Sequence, residues 1–344
     1  MHCTLPTFTL IVLAFLAAVL APPAAAGDAP EGPVQVFALA GQSNMEGHGK
    51  VEEGHGGVKG GQGSLRYLLA HPPEGSRVAG LAGPDGQWVV RDDVWVWATT
   101  DGGEKGRLTV GFGARETIGP EFGFGHVVGD ALAEPVLLIK TSWGGKDLAV
   151  DFRPPSAGKV TCPMGEKRKA AIEADPDLLG HYYRLMLRHV RDVTANLGKE
   201  FPALAGRKCV IAGFGWHQGW NDGCNAAFVK EYEANLVYLI RDLRKAWRRP
   251  GLPVVVANSG FGGWENKNSR RVGIMKAQLA VAVPDRYPAF EGTVAAVETR
   301  PFWRPPEVSP SGQGYHWCHN AETHYLIGEA MGRAMVRMLR KGEP

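Results

Sequence analysis

Residues 36–49 read VFALAGQSNMEGHG. The run Val36–Ala40 is apolar at every position, as in a strand covered on both faces of a sheet. It stops at Gly41 and gives way to Gln42, Ser43 and Asn44. A buried strand that ends in three small polar side chains places them at its carboxyl end, where sites form in open parallel sheets.

The rest of the chain repeats this grammar. Strand-like runs occur at PVLLIKTSW (135–143), CVIAGFGW (209–216), PVVVAN (253–258) and GTVAAVE (292–298). Between them lie segments with apolar residues at helical spacing, around 121–133, 178–197, 225–247 and 271–282, and a closing one at 321–340. Buried strands alternating with amphipathic helices predict an α/β fold: a three-layer α/β/α sandwich around a mostly parallel sheet. Residues 48–119 are rich in glycine and turn residues, so a long surface insertion is expected there, with short strands near QWVVRDDVWVWA (87–98).

The 344 residues are 44% hydrophobic and 21% charged, an ordinary globular balance. A net charge of +3 is too small to suggest nucleic acid or an acidic membrane as partner. Residues 1–26 read as a signal peptide: the apolar run LIVLAFLAAVLA (10–21) leads to Ala24-Ala25-Ala26, a small-residue cleavage pattern. The run is shorter than the roughly 20 residues of a membrane span. A secreted or periplasmic protein is expected, with residues 27–344 as a single domain and no stable membrane insertion after cleavage. Cys162, Cys209, Cys224 and Cys318 remain. Cys209 lies in an apolar run and suits a free thiol, while the other three suit a bridge between two of them.

Four polar clusters fall at strand ends: GQSNM (41–45), TSWGGKD (141–147), GWHQGWNDG (215–223) and, after a Pro-rich loop, GQGYHWCHNAETH (312–324). Singly, each has a structural explanation as a helix cap or tight turn. Together they bring a serine, a glycine pair, an amide and a histidine toward one rim, which is the equipment of acyl transfer. A serine hydroxyl becomes a nucleophile when a histidine removes its proton. Backbone N–H groups at a strand-to-helix turn and at a glycine, with a side-chain amide, hold the oxyanion. The G-x-S-x-G elbow of α/β-hydrolases is absent, because Met45 stands two residues after Ser43.

These motifs resemble the SGNH superfamily of hydrolases, whose fold is flavodoxin-like, and within it the sialate O-acetylesterase and acetylxylan esterase group, carbohydrate esterase family six. GQSNMEG (41–47) carries most of the resemblance; GPEFGFG (119–125), WGGKDL (143–148), WHQGWND (216–222) and NAETHYLIGEAMG (320–332) support it across roughly residues 34–339. The resemblance implies Ser43 as nucleophile and His316 as base, with His319 as its rival. It implies an oxyanion hole from Ser43, Gly145 or its neighbour Gly144, and Gln218, and no cofactor. The chain departs from the group at two points. Gln313 stands where an Asp commonly precedes the histidine by three residues, and Trp220 replaces the Glu of Gln-Gly-Glu. The group that orients the imidazole is then a carbonyl near Gln313, or Glu298, or Glu322.

Asn44, Trp143, Trp220 and Trp317 adjoin these loops and are candidate contacts for a sugar ring. Arg115, Glu121 and Arg304 suit surface ion pairs. The histidines and Cys318 of HWCHNAETH (316–324) invite zinc, but partners at the usual spacing are missing, so no metal is expected. The glycines of FGFGHVVG (122–129) imitate a dinucleotide fingerprint, yet no strand precedes them, which favours close helix packing. The expected activity is removal of O-acetyl groups from an acetylated carbohydrate. The alternatives are a non-catalytic carbohydrate-binding protein on the same fold, or a lipase or thioesterase of the wider superfamily.

Overall fold

The computed structural model describes residues 31–52, 59–72 and 78–341. The expected signal peptide at 1–26 lies outside the described residues. In chain order the elements are β1 (Val34–Gly41), α1 (Ser43–Glu46), α2 (Leu65–Ala70), β2 (Val94–Ala98), β3 (Glu104–Arg107), α3 (Pro120–Ala131), β4 (Val136–Ser142), α4 (Glu166–Ala174), α5 (His181–Ala195), α6 (Leu197–Glu200), β5 (Cys209–His217), α7 (Ala226–Ala246), β6 (Val254–Ala257), α8 (Ser269–Ala280), β7 (Val294–Val297) and α9 (Ala321–Lys341).

The seven strands form one sheet in the order β3-β2-β4-β1-β5-β6-β7. All neighbours are parallel except the β2–β3 pair at one edge. Read from β4 to β7, this is the flavodoxin-like order 2-1-3-4-5, whose switch point lies between β1 and β5. Side chains alternate across the sheet into two cores. Phe37, Leu39, Val96, Leu138 and Val255 pack with α3 and α9. Val36, Ala38, Ile139, Phe214, Trp216 and Val256 pack on the other face with α5, α7 and α8.

Two expectations change. The described residues of 48–119 do not run over the surface: β2 and β3 extend the main sheet, and Val51, Leu65, Leu68, Leu108, Phe112 and Ile118 are buried in the α3/α9 core. Its apolar residues cover that core without a helical or strand period, so turn-rich composition conceals them. Cys162, Cys209, Cys224 and Cys318 are all free thiols, so the expected bridge is not formed.

The glycines of FGFGHVVG do serve helix packing. A β-carbon on Gly123 would overlap the Tyr325 carbonyl and come 2.7 Å from the Glu329 nitrogen; one on Gly328 would overlap the Pro120 carbonyl. α3 and α9 thus cross backbone against backbone.

Candidate active site

Ser43 opens α1 directly after β1 and is nearly buried, at 8% exposure. Gln42 in the N-cap position ties this turn across the switch point. Its Oε1 accepts from the backbone N–H of Gly219 and of Asn221, both at 3.2 Å. From below, the buried Lys140 donates to the Glu46 carbonyl at 2.7 Å and pairs with Glu121 at 3.0 Å. Glu121 is therefore an interior ion pair rather than a surface one. Removing one partner of such a pair strands the other's charge.

The second loop follows β4. The Gly144 N–H donates to Glu46 at 3.1 Å. A β-carbon on Gly144 would come 3.9 Å from that of Ser43. Gly145 has φ +71, a left-handed conformation suited to glycine. Among the described residues, the N–H groups of Ser43 and Gly145 have no acceptor, and both stay available to a ligand. Burial pushes the Glu46 carboxyl above its usual value, opposed by the Gly144 hydrogen bond and Lys140.

Gln218, expected as an oxyanion donor, has its amide engaged by the scaffold. Its Nε2 donates to Lys146 O at 3.0 Å and Asp222 at 2.6 Å, with Gln42 Oε1 at 3.3 Å, while its Oε1 accepts from Tyr232 at 3.0 Å. Two amide protons already face three acceptors, so the expected oxyanion role is replaced by a bracing one. Asp222 shares it, accepting from the backbone of Leu148 and Ala149 at 2.9 and 3.0 Å. Burial and nearby Asp147 push the Asp222 carboxyl up to about 7. A second amide lies next to Gly145: Asn221 Nδ2 donates to the Gly145 carbonyl.

The histidine loop follows β7. Asn44 Nδ2 donates to the Tyr315 carbonyl at 3.0 Å, so the residue after the serine is bonded to the residue before His316. Asn44 is 2% exposed and acts as this tie rather than as a sugar contact. His316 stacks on His48, with centroids 3.8 Å apart and planes at 9°. None of the three orienting candidates holds the imidazole. The Gln313 carbonyl accepts the backbone N–H of His316 and Cys318, Glu298 pairs with Arg300, and Glu322 pairs with Arg304. His316 Nδ1 is buried without a partner among the described residues. The rival His319 has Nδ1 2.7 Å from the Ser311 hydroxyl.

Burial, then His319, lowers the His316 pKa from 6.5 to about 4. A general base works in its neutral form, and kcat/KM follows the free enzyme's ionisation. The acid limb of kcat/KM is therefore expected near pH 4, with activity kept at pH 5; a midpoint at 6.5 would contradict this geometry.

Of the tryptophans, Trp317 is fully buried against Phe261 and Trp303, so it offers no ring to solvent. Trp143 joins Phe152, Tyr182 and His189 on the α5 face. Trp220 is half-buried: the Arg271 guanidinium stacks on its ring at 3.6 Å and Phe261 meets it edge-on, while Tyr315, which is 40% exposed, lies 5.5 Å away. Sequence reasoning missed Tyr315, Asn221, Glu46 and His48. All four lie inside motifs it quoted, but only their placement gives them a task.

A family model described as carbohydrate esterase, sialic acid-specific acetylesterase, matches residues 33–287. Among solved structures, the fold is similar to an Arabidopsis thaliana protein at 16% identity and TM-score 0.50, over 88% of this chain and 98% of that one. It is also similar to a carbohydrate acetylesterase from Xanthomonas citri at 14% identity and TM-score 0.52, over 90% of this chain and 57% of that one. A third, NanS, shares 12% identity at TM-score 0.50, over 91% of this chain and 99% of that one. At such identities the likeness is one of fold. No curated protein matches the sequence.

Proposed function

The chain belongs to the carbohydrate esterase, sialic acid-specific acetylesterase family, and from that premise we propose that it is a secreted or periplasmic serine esterase removing O-acetyl groups from a glycan through an acetyl-enzyme on Ser43. The observation that carries the mechanism is the Asn44–Tyr315 hydrogen bond, which binds the serine turn to the histidine loop at the sheet's switch point. His316 takes the Ser43 proton as Oγ attacks the acetyl carbonyl. The oxyanion is received by the Ser43 and Gly145 N–H groups beside the Asn221 amide. The imidazolium then protonates the departing sugar oxygen. Water, deprotonated by the same imidazole, attacks the acetyl-enzyme and frees acetate and the serine.

Export rests on the apolar run 10–21 and the Ala24-Ala25-Ala26 pattern. No helix among the described residues is long and apolar enough to cross a membrane. For the sugar, the candidate surface is Tyr315, whose ring lies 4.5 Å from that of His316, with Trp220 5.5 Å beyond it. Trp220→Ala is expected to raise KM about fivefold with kcat changed less than twofold, because ring stacking of this kind is worth about 1 kcal/mol. An equal loss in kcat would place Trp220 in the chemistry instead.

The deciding experiment measures acetate release from acetylated xylan, acetylated sialic acid and a small aryl acetate, alongside fluorophosphonate labelling read by peptide mass spectrometry. Release with label on Ser43 supports the reading. Label elsewhere, or no release from any of the three by folded protein, refutes it.

A further inference from the structure

Around the proposed base stands a group the sequence did not assemble. His48, His316 and His319 come together with one ligand nitrogen each, all within 4.8 Å of one another. They arrive from two directions. His48 follows the turn at Gly47, φ +98, that ends α1. His316 and His319 are joined by a left-handed run, with φ of 54° at Trp317, 55° at Cys318 and 58° at His319. Three successive non-glycine residues rarely hold this conformation, and it persists where surroundings enforce it. Here buried Trp317 anchors the turn, while Lys50 N–H donates to the His319 carbonyl and Ser311 N–H to the Cys318 carbonyl, both at 3.0 Å. The strained turn is what brings His319 back beside His316.

We propose that His48, His316 and His319 bind one divalent transition-metal ion of the zinc class, and that the bound ion silences the esterase by taking the imidazole lone pair that must accept the serine proton. Neutral imidazoles are ordinary ligands for zinc, copper and nickel, and three of them leave a fourth position for water. Buried His48 Nε2 and His316 Nδ1 have no hydrogen-bond partner among the described residues. Where Ser311 Oγ accepts from His319 Nδ1, Nε2 is left with its lone pair, the usual arrangement behind a metal-bound histidine. Tetrahedral zinc with bonds of about 2.0–2.1 Å sets nitrogens roughly 3.4 Å apart. The cluster must therefore contract, and the stacked His48–His316 pair must splay so that both ring planes meet the ion. Lys50 is a nearby opposing charge, felt by both His48 and His319. The silencing rests on the proposed role of His316; the binding does not.

The test uses the full chain freed of metal by chelator dialysis, titrated with Zn²⁺ by calorimetry and with Co²⁺ by visible absorption. The expected result is one equivalent per chain with micromolar or tighter affinity, a tetrahedral cobalt spectrum, and the same binding in Ser43→Ala. His48→Ala and His319→Ala should each weaken binding at least tenfold. Each should move the zinc midpoint for inhibition upward by a similar factor, measured against that variant's own rate. Should an alanine variant fail to give a native circular dichroism spectrum, His48→Gln and His319→Gln provide the same comparison. Absence of stoichiometric binding, or binding unchanged in both histidine variants, overturns the site. Binding without inhibition of an active wild type overturns the silencing. If the wild type hydrolyses no ester, the metal titration still decides the site, and the failure then belongs to the esterase reading alone.

Discussion

Ser43→Ala is expected to lower kcat for acetate release by about 10⁴–10⁶-fold, the loss seen when an acyl-transfer nucleophile is deleted. The residual rate would come from the Ser43 and Gly145 N–H groups, which the substitution leaves in place. The fold should not notice. The side chain is small, and among the described residues its hydroxyl makes no hydrogen bond, so the change in stability should stay within about 0.5 kcal/mol. Chemical-denaturation curves and initial rates on an acetylated substrate check both halves. A variant that keeps more than a tenth of the wild-type rate would show that another group attacks the ester. Wild type and variant that bind acetylated glycan equally, with neither releasing acetate, would favour the non-catalytic carbohydrate-binding alternative.

Gly328→Ala is expected to destabilise the protein by about 3 kcal/mol or more, although helix propensity argues the opposite. In an exposed helix, glycine to alanine gains about 1 kcal/mol. At Gly328 the new β-carbon would overlap the Pro120 carbonyl and lie 2.9 Å from the Phe124 nitrogen. Both are backbone atoms that cannot rotate aside, so α3 and α9 must move apart along their shared core. Overpacking of this kind costs about 1–3 kcal/mol where side chains can yield, and backbone yields less. Gly251→Ala is the control: it has open space around it and should change stability by less than about 0.5 kcal/mol. Equal denaturation midpoints for the two variants would mean that the helices tolerate separation.

The elements themselves were largely legible. Val36–Ala40, Val136–Ile139 and Val254–Val256 are uninterrupted apolar runs because both faces of a central strand are covered. The helix periods at α5, α7 and α9 were equally plain. Less legible was residues 48–119, where β2 is short and β3, reading EKGR, lies at an exposed edge and lacks the apolar signature.

At the site, residue type revealed candidates but not partners. Gln218 looks like an oxyanion donor in a linear motif, yet Asp222, Lys146 and Tyr232 use its amide. Trp317 looks like a sugar platform, yet a positive φ turns it into the core. Glu298 and Glu322 look like orienting acids, yet an arginine holds each.

By itself the sequence determined the five strands from β4 to β7 in the sheet order, their covering helices and the four loops that could carry chemistry, because hydrophobic period and strand-end polarity are local properties written along the chain. Only the tertiary structure decided which polar groups spend their hydrogen bonds on the scaffold and which remain free, and that His48 lies against His316. Those outcomes depend on distances between residues far apart in sequence, where each donor's partner is settled by packing.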